Sequence, residues 1–303
     1  MLLPDLSNAL ADAVERAGAS TVSVYGRDRL PSSGVHWRPG VVITADHALE
    51  RDEEISIAHP DRAGRIPAAL AGRDPTTDLA VLRVDPLSLP VAEGREIDSV
   101  KVGHLVLAVG RPGEAGMSAS LGVMSAVGPA WTTWRGGKVD RFLRADLDLY
   151  DGFSGGPLVD TQGRVIGINT SGLSRRFDLT IPRSTVNRVA DQLLASGRIS
   201  RGYLGVGMQP VRISDQLVSA LNLAGNGGVI VISVEPGQPA ERAGILMGDV
   251  LVELDGARVS DPEDVIAQLS SDRIGAKITA RVIRAGRPAD VQLVVGERPA
   301  HWE

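Results

Sequence analysis

The run Gly152-Phe153-Ser154-Gly155-Gly156-Pro157-Leu158 constrains this chain more than any other stretch. It sets one serine on a glycine-crowded turn between apolar segments. Glycines let a backbone approach another molecule closely and take φ/ψ values that other residues resist. A serine held there, with free backbone N–H groups beside it, suits a nucleophile with an oxyanion hole. On its own the run fits two unrelated enzyme architectures.

Gly-x-Ser-x-Gly is the nucleophile elbow of α/β-hydrolases, whose order along the chain is Ser, then Asp or Glu, then His. That order needs a histidine after Ser154, and only His301 qualifies, in the tail Arg298-Pro299-Ala300-His301-Trp302-Glu303. A tail residue is poorly placed to be a fixed base. His36, His47, His59 and His104 all lie upstream, and His, Asp, Ser is the chymotrypsin order.

Among the four, His47 stands where the β-prone run Val41-Val42-Ile43-Thr44-Ala45 gives way to Asp46-His47-Ala48. A strand's end can hold an imidazole toward a cleft. His36 precedes a Trp-Arg-Pro-Gly turn, His59 reads as a loop residue, and His104 follows a glycine. The third group is Asp78, in Asp74-Pro75-Thr76-Thr77-Asp78 before Leu79-Ala80-Val81-Leu82. A carboxylate buried there could accept the imidazole N–H and fix its tautomer. Asp74, before a proline, reads as a turn residue. Asp46, adjoining the histidine, would point away from it.

These motifs, with Val102 to Pro112, Arg144 to Asp160 and Gly163-Arg164-Val165-Ile166-Gly167-Ile168-Asn169-Thr170, make the chain resemble the HtrA (Deg) serine proteases. The likeness covers nearly the whole chain. It implies a mostly β fold, a trypsin-like double six-stranded β-barrel over residues 1–197, a linker at 198–201 and a PDZ domain at 202–298. His47 would be the base, Asp78 its orienter, Ser154 the nucleophile, and the N–H groups of Gly152 and Ser154 the oxyanion hole. Two features depart from the family: Phe153 replaces the usual Asn, and Ala145 to Asp151 replaces small apolar residues and Asn-Pro.

In trypsin-like folds the segment leading to the serine walls the specificity pocket, which here would involve Asp148, Leu149 and Ser171. Asp148 lies where trypsin keeps the aspartate that reads Lys or Arg. The default is a solvated Asp148, with Leu149 shaping a pocket for small aliphatic residues. In the second domain Tyr203-Leu204-Gly205-Val206 matches the carboxylate-binding loop, where backbone N–H groups hold a peptide's C-terminus and the peptide adds a strand. The resemblance thus implies cleavage of unfolded or damaged polypeptides, with recruitment or regulation by tail peptides, no cofactor or metal, and a homo-oligomer, a trimer. The alternative is a non-catalytic holdase or peptide-binding scaffold that keeps the protease fold.

Composition narrows the classes. At 303 residues the chain accommodates two domains with cores of their own. A net charge of −5 disfavours a general nucleic-acid role. With no cysteine, disulfides, a thiol nucleophile and thiolate metal sites are excluded. No apolar run has the length of a membrane-spanning helix. The start, Met1-Leu2-Leu3-Pro4-Asp5-Leu6-Ser7, lacks a basic stretch followed by an apolar one. As written, the chain is expected in the cytoplasm; a trimmed chain would be periplasmic or membrane-anchored, as most relatives are.

Leu6, Leu10, Ala13, Val14 and Ala17 recur at helical spacing and predict an amphipathic helix. Short strands are expected at residues 21–25, 41–44, 55–58, 79–84, 105–109, 158–159 and 165–169, the pattern of barrels. Residues 26–40 read as a short connection between strands. A helix from Pro182-Arg183-Ser184 should stop at Gly197. Strands at 228–234, 249–254, 278–284 and 289–295, with helical pieces at 240–243 and 262–269, complete the reading.

Overall fold

The computed structural model describes residues 3–28, 30–60, 62–85, 88–113, 116–174 and 176–299. His301 lies outside them. The chain divides into two compact units, Met1–Ile199 and Ser200–Glu303. Among the described residues no helix is long and apolar enough to cross a membrane.

In the first unit, α1 (Leu3–Gly18) precedes a closed antiparallel barrel. Its strands are β1 (Thr21–Tyr25), β2 (Ser32–Arg38), β3 (Val41–Ala45), β4 (Ile55–His59), β5 (Arg62–Asp74) and β6 (Leu79–Val84). They pair in the order β1-β2-β3-β6-β5-β4, with β4 returning to β1. A second six-stranded sheet runs β11-β8-β7-β12-β13-β14. It comprises β7 (Leu105–Gly110), β8 (Ser118–Gly128), β11 (Phe142–Asp146), β12 (Pro157–Asp160), β13 (Val165–Thr170) and β14 (Leu179–Pro182). β14 packs back against β11, and a ribbon of β9 (Trp131–Thr132) and β10 (Lys138–Val139) leaves between β8 and β11.

Three cores explain why these strands read as continuous apolar runs rather than alternating ones. Val22, Val24, Val42, Ile57 and Leu82 fill the first barrel. Val106, Met124, Leu143, Leu158 and Ile166 fill the second. A third cluster joins Ile43 and Val81 of one barrel to Leu107, Val159 and Ile168 of the other, and to Ala13 and Ala17 of α1. α2 (Arg183–Ser196) adds Val186, Val189 and Leu193. It ends where expected: Gly197 takes φ 73° and its N–H reaches the Leu193 carbonyl.

Residues 26–40 are more than a connection, because β2 lies within them and is buried over most of its length. Its Ser-Ser-Gly-Val-His-Trp-Arg sequence does not look like a core strand. Several of its polar groups are nevertheless paired inside: His36 Nδ1 lies 3.0 Å from the Pro90 carbonyl oxygen, and Trp37 Nε1 donates to Asn187 Oδ1 at 2.8 Å, while Ser32 Oγ and His36 Nε2 are buried with no partner among the described residues. Buried polar atoms cost little when bonded.

The second unit is built on a six-stranded antiparallel sheet, five strands of which run in the order β16-β17-β18-β20-β21 while the sixth, β19, pairs with β18. Its elements are β15 (Gly202–Tyr203), β16 (Val206–Arg212), α3 (Asp215–Ala220), β17 (Gly227–Val234), α4 (Pro239–Ala243), β18 (Val250–Leu254), β19 (Ala257–Arg258), α5 (Pro262–Ala267), β20 (Lys277–Arg284), β21 (Arg287–Val294) and β22 (Gly296–Glu297). Val229, Val231, Leu251, Leu254, Ala280 and Val282 form its main core. β16 pairs only with β17, so one edge of the sheet is open among the described residues.

Candidate active site

β3 delivers the chain to a single turn of 3₁₀ helix, Asp46–Ala48, which carries the histidine. His47 Nδ1 lies 2.7 Å from Asp78 Oδ2, and the His47 backbone N–H donates to Asp78 Oδ1 at 2.9 Å. Asp78 is 1% exposed and sits at φ 56°, a conformation uncommon for a non-glycine residue. The Thr170 hydroxyl, at the end of β13, also donates to Asp78 Oδ2. A carboxylate so surrounded can hold an imidazole in one tautomer and stabilise its protonated form.

The two rival aspartates are occupied elsewhere. Asp46 Oδ1 meets Arg73 Nε at 2.5 Å, and Arg73 also reaches the Asp46 and Leu49 carbonyls and Asp52. Burial raises the Asp46 pKa; Arg73 opposes that, while Asp78 and Asp74 add to it. Asp74 closes its own turn, accepting the Thr76 N–H and the hydroxyls of Thr76 and Thr77.

The serine turn is a nearly complete account of backbone hydrogen bonds. The Gly152 carbonyl accepts from Ser33 Oγ at 2.7 Å, and the Phe153 N–H donates to the Tyr150 carbonyl at 3.0 Å. Ser154 O accepts from the Ser33 N–H, the Gly155 N–H donates to Asn169 O, and the Gly156 N–H to Phe153 O. Among the described residues, the N–H groups of Gly152 and Ser154 donate to no protein acceptor. Phe153, where the family usually has Asn, is 1% exposed and joins the second barrel's core. Its ring meets Tyr150 edge-on at 5.3 Å, and a Cβ on Gly110 would come within 2.6 Å of it.

Ser154 Oγ bonds Ser171 Oγ at 3.2 Å and receives the Ser171 N–H at 3.4 Å. It makes no hydrogen bond to His47. The two nonetheless share one rim. A Cβ on Gly155 would lie 2.5 Å from Thr44 Oγ1 and 2.8 Å from Ala45 N at the end of β3, and one on Gly172 2.7 Å from His47 Nδ1.

Of the expected pocket residues, Ser171 touches Ser154 Oγ, Leu149 packs partly against the second barrel's core, and Asp148 is exposed. Asp178 is a further carboxylate here. Thr170 pairs with Leu179, which sets Ser171 and Asp178 across the β13–β14 hairpin from each other. Burial raises the Asp178 pKa and Asp148 adds to it, while the Leu149 N–H opposes.

In the second unit, Tyr203 Oη donates to Glu235 Oε1 at 2.6 Å, and burial together with that bond pushes the phenol up to about 12. Leu204 is buried and Gly205 takes φ 77°. The carbonyls of Leu204 and Gly205 accept from Ala240 and Glu235, and their N–H groups donate to no acceptor among the described residues. Val206 starts β16, whose outer edge is open.

Sequence reasoning assigned no role to Ser33, Thr170 or Asp178. Thr170 could have been found as the hydroxyl ending the apolar run Val165 to Asn169. Ser33 and Asp178 carry no local signal.

Comparison with known proteins places this geometry. Residues 32–168 match the trypsin-like peptidase domain and residues 202–295 the PDZ domain. A probable periplasmic serine endoprotease, DegP-like, from Brucella suis is 35% identical over 295 residues, covering 94% of this chain and 56% of the relative. A protein of the same description from Pseudomonas fulva is 33% identical, covering 91% and 58%. The chain spans about half the length of these curated relatives. Among solved structures, the HtrA-type protease AlgW with a tripeptide is 32% identical, with 96% of this chain and 97% of that one covered at TM-score 0.73. The serine endoprotease from Yersinia pestis is 30% identical, covering 96% and 98% at TM-score 0.74. A trypsin-like domain with a bonded His–Asp pair beside its serine turn, followed by a PDZ domain, matches these structures along almost its whole length: the chain belongs to the HtrA-type serine protease family.

Proposed function

We propose that this chain is a serine endopeptidase acting on unfolded or damaged polypeptides. The observation that carries the reading is the bonded His47–Asp78 pair at the rim of a serine turn with two unengaged N–H groups. In the reaction Ser154 Oγ exchanges its bond to Ser171 for one to His47 Nε2, which takes its proton as Oγ attacks the substrate carbonyl. Such catalytic bonds often form only with substrate present. The N–H groups of Gly152 and Ser154 receive the developing oxyanion. His47, steadied by Asp78, then protonates the leaving amine. Water deacylates Ser154 by the same route in reverse.

Leu149 and Ser171 flank the pocket in this reading, and small aliphatic residues are its default, with Asp148 in solvent. Tyr203, Leu204, Gly205 and Val206 take the C-terminus of a peptide that lies along the open edge of β16, recruiting substrate or regulating cleavage. A homo-oligomer, a trimer by family resemblance, belongs to the same proposal. The curated relatives are named periplasmic, which favours the periplasmic alternative over the cytoplasmic reading.

One observation favours a second reading, the non-catalytic holdase or scaffold: Ser154 Oγ is engaged by Ser171 rather than His47. Cleavage of unfolded casein separates the two. The protease reading predicts fragments with the wild type and none with Ser154→Ala, with mass spectrometry placing the cuts. Cuts after small aliphatic residues fit the Leu149 pocket; cuts after Lys or Arg would move its base to Asp148 and Asp178. No cleavage by the wild type, even with C-terminal peptides added, would favour the scaffold.

A further inference from the structure

Glycine at position 152 supplies a positive φ but no resistance to a peptide flip. Whatever keeps the Gly152 and Ser154 N–H groups facing the same way must come from the partners of the neighbouring peptide groups. The Gly152–Phe153 peptide is gripped at both ends, its C=O by Ser33 Oγ at 2.7 Å and its N–H by Tyr150 O at 3.0 Å. The Tyr150 grip lies within the turn itself. The Ser33 grip comes from β2, in the other barrel, 119 residues away in sequence.

Ser33 is built for one task. Its hydroxyl accepts the Arg111 N–H at 2.8 Å, which occupies a lone pair and leaves its single hydrogen for Gly152. Its backbone N–H donates to Ser154 O at 3.3 Å, and its carbonyl accepts the Thr44 hydroxyl at 2.8 Å. The residue is 0% exposed, so bulk water does not reach the hydroxyl. Pro31 and Pro112 crowd Gly152: a Cβ there would lie 2.7 Å from Pro31 O and from Pro112 Cβ.

We propose that Ser33 is a positioning residue for acyl transfer: by holding the Gly152 carbonyl, its hydroxyl keeps the Gly152 and Ser154 N–H groups turned toward the substrate carbonyl. The inference rests on the protease reading. Without the hydroxyl, the Gly152 C=O and the Arg111 N–H lose their partner in a dry site. The Gly152 peptide groups then reorient, and the loss falls on the transition state rather than on substrate binding.

The test uses the full chain with Ser33→Ala and the nearly isosteric Ser33→Cys, whose thiol is a weak donor. Substrate is a fluorogenic peptide carrying the main casein cut, and a peptide boronate serves as a tetrahedral analogue. Deleting a hole donor outright costs about 10²–10³ in kcat; loss of its positioning should cost about ten- to a hundredfold, with KM within about twofold. Boronate affinity should fall in step with kcat. If Ser33→Ala does not fold, Ser33→Cys carries the test. Wild-type turnover with kcat unchanged in a folded variant overturns the positioning role alone, as does a loss confined to KM. A wild type with no turnover and no labelling by a fluorophosphonate overturns the protease reading itself.

Discussion

The serine turn and the loop at Tyr203 to Val206 are built alike, and the proposed function puts them to different uses. Each bends through a glycine at positive φ, Gly152 at 84° and Gly205 at 77°. Each leaves two backbone N–H groups without a protein acceptor among the described residues. Such concave sets of N–H groups attract negative oxygen. Beside Gly152 stand the Ser154 hydroxyl and a carboxylate-held imidazole. Beside Gly205 stand a buried leucine and an open strand edge. In the proposed function the donors of the first loop meet charge that exists only in a transition state, and those of the second meet charge already present on a peptide tail. The surroundings, not the donors, separate catalysis from retention.

Breaking the first loop should give the largest effect. Gly152→Ala would press a Cβ to 2.7 Å from Pro31 O and Pro112 Cβ at a φ that side chains resist. We expect kcat to fall about a hundredfold, read by steady-state kinetics, while calorimetric titration with a tail peptide is unaffected. The next largest effect is on the frame of the second unit. Asp249, 1% exposed, accepts the Leu246 N–H at 2.8 Å and Arg284 at 2.9 and 2.7 Å. Burial works to raise its pKa, but Arg284 and the Leu246 N–H outweigh it and hold the carboxyl below its ordinary range. Asp249→Ala should cost about 1–2 kcal/mol, because the Arg284 left behind is over a third exposed; this is seen as a lower urea midpoint for the second unit. Because the folded pKa is depressed, this stabilisation is full above the unfolded value of about 3.9 and is lost as pH falls through the folded value. The variant should therefore show a shallower acid transition than the wild type.

Smaller effects sharpen the comparison at the second loop. A Cβ on Gly205 would lie 2.3 Å from Gln238 Cβ. Gly205→Ala should weaken tail-peptide binding about tenfold and leave hydrolysis of a short untailed peptide unchanged. Tyr203→Phe removes only the hydroxyl bonded to Glu235. It should cost about 1 kcal/mol of stability and change tail affinity by less than about threefold.

Legibility followed local chemistry. The serine turn, the His47 segment and the Asp78 segment each announce themselves, because a nucleophile, a base and a buried carboxylate need particular residue types beside particular elements. The strands with apolar runs were readable for the same reason, as was the stop of α2 at Gly197. β2 was not. Its Ser33, His36 and Trp37 look like a polar connection, yet each finds a partner inside the fold. Ser33 meets Gly152 across 119 residues of chain, and Asp178 comes opposite Ser171 only once β13 and β14 pair. Such residues depend on tertiary register, which no local pattern carries.

The measurement that tests the central claim most directly is fluorophosphonate labelling followed by peptide mapping, on the wild type and on His47→Ala. A working triad predicts one phosphonylated residue, Ser154, in the wild type and labelling slowed by several orders of magnitude in the variant. Equal labelling of the two, or none in the wild type, would contradict the account.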